Sequence, residues 1–250
     1  MSDFGEISKP VDAHSELSLS YEQLDKMASD VKTLSMLRDL AQERGYTFAL
    51  TGGYAVDALV GGKISRFHGD MDSIMVVPQH TPNAEIKEAI EENLLVEETP
   101  WKSVKNEGTS LEFRENAPHK EWEMLRRLEL DIYPSDIKLN IVTRTLRDVD
   151  GVQHEFEALA IEGILAAKVL SAVRLNEMTE EERIKENLRE LKPSDRNDFQ
   201  RLVHSPEFDE QAVHNALAGA IRYISDDDIT PVEAEKEADQ QWTKALEIFR

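Results

Sequence analysis

No cysteine occurs in the 250 residues, which excludes a disulfide framework, a thiolate metal site and a thiol nucleophile. Aromatic residues make up only 6% of the chain, and Trp101, Trp122 and Trp242 stand too far apart to form a stacking platform. Eleven glycines among 250 residues, with 40% apolar residues, describe a soluble globular chain and not a fibrous or disordered one. No apolar run approaches the roughly 18 residues of a membrane span. The opening MSDFGEISKPVDAHSELS lacks the basic and then apolar stretches of a signal peptide. These absences predict a cytoplasmic protein without a membrane partner.

Positive charge is also short. Twenty-nine Lys and Arg face 50 Asp and Glu, a formal charge of −21. Such a field repels nucleic acid and draws in a cationic small molecule, and it also serves solubility.

What is present is ordered. Residues 1–18 carry little pattern and are expected to trail loosely. Ser20-x-x-Gln23 reads as a capping box, followed by Tyr21, Leu24, Met27, Val31, Leu34, Leu37 and Leu40 at helical spacing and a stop at Gly45. A short buried strand, YTFAL, meets Gly52-Gly53 and a short helix, YAVDALV; Gly61-Gly62 end it, and MDSIMVV reads as the next strand. Thr81-Pro82 supply an N-cap and N1 proline for NAEIKEAIEENLL. SLEFRE, RRLELDIYP, DIKLNIVTR and VQHEFEAL then read as strands between turn residues. Beyond about Leu159 the pattern is all helix: AIEGILAAKVLSAVRLNE, then helices opened by Thr179, near Ser194-Asp195, around DEQAVHNALAGAIRYI, and by Thr230-Pro231. The fold class predicted is α+β, a mixed β-sheet with flanking helices followed by a C-terminal helical domain. Its divisions are a flexible 1–18, a catalytic domain over 19–158 and a helical domain over 159–250.

The informative stretch is TGGYAVDALVGGKISRFHGDMDSIMVV, residues 51–77. Asp70 and Asp72 stand at the mouth of an apolar strand, where carboxylates are costly unless a cation meets them. Residues i and i+2 of a strand share a face, so the two carboxylates lie about 6–7 Å apart, a grip suited to Mg²⁺. A third carboxylate fits on RRLELDIYP, whose Leu128, Leu130 and Ile132 share one face and whose Glu129, Asp131 and Tyr133 share the other. Asp131, deeper in the apolar segment, is the first choice and Glu129 the substitute. Gly52-Gly53, between strand and helix, let backbone N–H groups approach a phosphate. The Walker A loop is excluded, because Asp57 and Ile64 stand where glycine and Ser or Thr are required. Lys168 lies within the apolar stripe of Ile161, Ile164, Leu165, Ala172 and Leu175, where an ammonium needs an anion such as a triphosphate.

GGYAVDALVGGKISRFHGDMDS resembles the signature of the nucleotidyltransferase superfamily, most of all that of aminoglycoside and lincosamide nucleotidyltransferases: Gly-Gly-aromatic-Ala, then Arg-x-His-x-Asp-x-Asp. AKVLSAVR and KPSDRNDFQRL are similar to the helical part of these enzymes and of abortive-infection nucleotidyltransferase toxins. Tyr54 stands where Trp is common, Ser73 where an apolar residue is usual, and Pro193-Ser194 interrupt the Lys-Asp spacing, so no role passes to Lys192. The resemblance implies that Asp70 and Asp72 bind Mg²⁺ carrying a nucleoside triphosphate, with ATP the donor. Asp131 would be the third ligand or the base, Gly52 and Gly53 would contact phosphates, and Arg66, His68 and Lys168 would line the nucleotide site. The reaction implied is transfer of a nucleoside monophosphate to a hydroxyl of a small acceptor of aminoglycoside or lincosamide type. Glu112, Glu115, Glu121, Glu123 and Glu129 are expected to line a cleft suited to a cationic acceptor, one side of it closed by the helical part. Two alternatives stand beside this: a toxin that modifies RNA or protein, and a nucleotide-binding protein that has lost turnover.

Overall fold

Helix α1, Tyr21–Arg44, begins with the capping box expected at Ser20: its hydroxyl accepts from the Gln23 N–H, and the Gln23 side chain accepts from the Ser20 N–H. Gly45 ends the helix at φ 71°, the left-handed conformation that glycine adopts without steric cost. In the computed structural model the described residues are 19–94, 101–107, 109–117, 125–185, 190–225 and 229–250. The tail expected over 1–18, together with Glu121, Trp122 and Glu123, lies outside them.

Seven strands form one mixed sheet: β1 Thr47–Leu50, β2 Met71–Val77, β3 Trp101–Glu107, β4 Ser110–Glu115, β5 Arg127–Pro134, β6 Ile141–Arg147 and β7 Gln153–Leu159. Their order is β3-β4-β5-β2-β1-β7-β6. The β1–β7 and β2–β5 pairs are parallel, and the remaining neighbours are antiparallel. Helices α2, Gly52–Leu59, and α3, Asn83–Leu94, flank the sheet with α1. This is the mixed sheet with flanking helices that the pattern implied.

Three local differences have physical causes. Strand β3 was not foreseen, because WKSVKNE is polar, pairs with β4 alone and shifts register between Ser103 and Lys105. An edge strand with a bulge shows little alternation. Strand β6 begins at Ile141 and not at Asp136, since the chain first turns, with Ser135 N–H donating to Val77 O and Ile137 N–H to Pro134 O. The Thr81 hydroxyl donates to Pro78 O at 2.7 Å instead of capping α3.

Ala160–Arg250 belong to a second compact unit, distinct from that of Ser15–Leu159. It contains α4 Ile161–Glu177, α5 Glu180–Lys185, α6 Pro193–Val203, α7 Glu210–Ile224 and α8 Pro231–Phe249. Phe199 stacks on Phe249 with ring centroids 4.1 Å apart, and Trp242 packs against Phe199 while its indole N–H donates to Glu210. The Thr230 capping box opens α8, as its sequence indicated.

Candidate active site

Pairing across the sheet sorts the side chains of β4, β5 and β2 into two faces. Leu111, Phe113, Leu128, Leu130, Met71, Ser73 and Met75 share the apolar face and are all buried. The opposite face is charged. Asp72 stands abreast of Glu129, and Glu129 abreast of Glu112, so three acids form one row across three strands. The next row holds Ile74, Asp131 and Ser110.

Asp70, Asp72 and Glu129 bring ligand oxygens within 4.8 Å of one another. That is a carboxylate set of the kind a hard divalent cation takes. Glu129, the substitute in the sequence reading, is thus the acid placed with the two aspartates; Asp131 lies one row further along β5. Arg127, two residues before Glu129 on the same face, donates from Nη2 to Asp70 Oδ2 and to Gly69 O, both at 3.3 Å.

The glycine turn closes the other side. The Thr51 N–H donates to Asp72 O at 2.9 Å, and Gly52 follows at φ 56°. A Cβ on Gly52 would fall 1.9 Å from Asp72 Oδ2, so that carboxylate lies directly on the backbone at the start of α2. A Cβ on Gly53 would fall 2.3 Å from His68 Nδ1 and 2.9 Å from Arg66 Nη2. Hence Gly52, Gly53, Arg66, His68 and Asp72 meet at the positive end of α2, where anions are favoured. His68 is only 2% exposed, and its Nε2 lies 2.7 Å from the buried Asp57. Tyr54, in place of the commoner tryptophan, is fully buried and donates to Asp30 at 3.0 Å.

Like charges leave their mark on Glu129. Its carboxyl is held above the ordinary glutamate range, first by loss of water around it, then by Asp70, Glu112 and Asp131, with Arg127 acting the other way. The folded chain therefore binds this proton more tightly than the unfolded chain does. Metal-free protein is expected to lose stability as pH rises through the raised Glu129 pKa, and to regain it on acidification toward an ordinary glutamate value. Glu129→Gln should flatten that slope, so thermal melts across about pH 5–8 should show the variant as the more stable one at the upper end.

Other expected residues lie elsewhere. Glu115 is buried at 2% and lies 3.7 Å from Arg126, whose guanidinium covers Trp101 on the apolar side. It shares no face with Glu112. Lys168, in the helical unit, has its Nζ 3.4 Å from Asp195 Oδ1 and 3.3 Å from Asp198 Oδ2. These carboxylates supply the anionic partner that its apolar stripe demands. Asp195 also accepts from the Lys192 N–H at 3.0 Å, a first-turn position on α6. Sequence reasoning passed over Arg127 and Asp57. The signal for Arg127 was its spacing of two from Glu129.

Among the described residues no helix is long and apolar enough to cross a membrane. No curated protein matches the chain. Residues 33–119 match the family model of aminoglycoside-2''-adenylyltransferase. Solved structures to which the chain is similar include the antibiotic-resistance factor ANT(2'')-Ia, 14% identical, over 80% of this chain and 95% of that one, with a TM-score of 0.49. JHP933 from Helicobacter pylori is 14% identical over 92% and 94% of the two chains, with a TM-score of 0.46. An antigenic nucleotidyltransferase-like protein from Paracoccidioides brasiliensis is 18% identical over 92% and 94%, with a TM-score of 0.40. The family-model match spans the glycine turn, Arg66, His68, Asp70 and Asp72.

Proposed function

We propose that the protein is a Mg²⁺-dependent nucleotidyltransferase that moves a nucleoside monophosphate from a nucleoside triphosphate, with ATP the first candidate, to a hydroxyl of a small cationic acceptor of aminoglycoside type. The observation that carries this reading is the meeting of Asp70, Asp72 and Glu129 within 4.8 Å, beside the Gly52-Gly53 turn. These residues fit a divalent cation, since crowded carboxylates at a helix N-terminus are relieved by one. Mg²⁺ bound there would neutralise charge on the entering and leaving oxygens.

Asp70, Asp72 and Glu129 would hold the metal, and the Gly52-Gly53 backbone with Arg66 and His68 would receive the phosphates. An acceptor hydroxyl forms the new bond to the α-phosphorus, the bond to the β-phosphate oxygen breaks, and pyrophosphate leaves with that electron pair. Asp131, on the same face one row on, stands as the group that takes the hydroxyl proton. The acidic face from Glu112 to Asp131 and the net charge of −21 support a cationic acceptor over nucleic acid.

The test is pyrophosphate release with each triphosphate and a panel of aminoglycosides. Release only when both are present supports the reading, and no release with any pair contradicts it. Glu112→Gln should raise the acceptor KM by up to about fivefold with kcat unchanged, an effect that added salt erases.

A further inference from the structure

Asp57 is 0% exposed and sits in the middle of α2, a place where a carboxylate must find donors. Three of them come from the loop that leads to Asp70. The Ser65 N–H donates to Oδ2 at 2.9 Å, the Ser65 hydroxyl donates to Oδ1, and His68 Nε2 lies 2.7 Å from Oδ2. A backbone N–H can only donate, so Oδ2 is an acceptor and Nε2 supplies the proton to it. This fixes the ring: Nδ1 faces Gly53, within 2.3 Å of where a Cβ would stand.

The rest of the loop residue is held as firmly. The Tyr54 and His68 ring centroids are 4.3 Å apart, and Tyr54 donates to Asp30. Lys26, buried on α1, donates to Asp30 at 2.6 Å and to His68 O at 3.1 Å. Arg66 and Asp70 lie two residues to either side of His68. They therefore take their places from it.

We propose that Asp57 is a positioning residue for triphosphate binding: it clamps the His68 imidazole against Gly53 and so sets Arg66 and Asp70 at the first turn of α2. The proposal rests on the nucleotide reading above, and its tests separate the two. In wild-type protein, ¹⁵N spectra of His68 should show a proton on Nε2, and a ring protonated on Nδ1 alone would overturn the clamp without touching the nucleotide reading. Titration with the Mg²⁺ salt of whichever of ATP, GTP, CTP and UTP binds wild type most tightly then compares Asp57→Asn, at a temperature where the variant is fully folded. Affinity should fall by about 10–100-fold, the scale for a group that orients those touching the ligand. Unchanged affinity in folded Asp57→Asn overturns the proposal even if its thermal midpoint has dropped, because a purely structural residue behaves that way. Should that variant fail to fold, Ser65→Ala, which removes one donor and strands no buried charge, carries the same comparison. A wild-type protein that binds no triphosphate at all would overturn the nucleotide reading, and the positioning role with it.

Discussion

Asp72→Asn is expected to reduce turnover by at least about 10²–10³-fold, the loss seen when one electrostatic stabiliser of a transition state is removed. Asp72 is the acid common to both halves of the site. It stands abreast of Glu129 in the sheet, and its carboxylate lies on the backbone of Gly52. An amide of the same shape keeps the packing but withdraws the charge that a divalent cation requires. The folded state should not suffer, because the substitution removes one of three carboxylates held within 4.8 Å of one another. Activity lost at an unchanged or higher melting temperature is the expected pattern. Activity retained in folded Asp72→Asn would remove this carboxylate from the chemistry.

The second large effect is expected from Gly52→Ala. At φ 56° an alanine costs about 1–2 kcal/mol in backbone strain alone. The added methyl would stand 1.9 Å from Asp72 Oδ2 and 2.7 Å from Asp72 Cβ, so the side chain of a strand residue must move as well. Gly45→Ala is the control, since its φ of 71° imposes the same kind of strain but nothing lies within 4 Å of its Cβ. Both variants should melt earlier, while only Gly52→Ala should lose metal-dependent triphosphate binding. Equal binding by the two would mean that Asp72 tolerates displacement and that the turn does not shape the site.

Much of this architecture was legible because it is local. The Ser20 and Thr230 caps, the Gly45 stop, the turn at Gly52-Gly53 and the alternation in RRLELDIYP each depend on a few neighbouring residues. The choice between Glu129 and Asp131 does not. It depends on how far β5 slides along β2, and both registers that differ by two residues keep Leu128, Leu130 and Ile132 on the apolar face. The pairing of Asp72 with Glu129 puts Glu129, and not Asp131, beside the two aspartates. The same holds for Lys168, whose stripe announced the need for an anion but whose partners, Asp195 and Asp198, are 27 and 30 residues away. Asp57 was visible only as a residue that spoiled a Walker loop, because its partner His68 comes from the far end of the following loop. Arg126 and Arg127 are neighbours at the start of RRLELDIYP, yet alternation sends one to Trp101 and the other to Asp70.

Nucleotidyl transfer by this site is tested most directly by calorimetric titration with ATP, GTP, CTP and UTP, each with and without Mg²⁺, on wild type and on the Asp70→Asn, Asp72→Asn double variant. Metal-dependent binding of at least one triphosphate by wild type, and none by the folded double variant, is the result expected. Binding that is indifferent to Mg²⁺ and to both substitutions, or no binding of any triphosphate to folded wild-type protein, would contradict it.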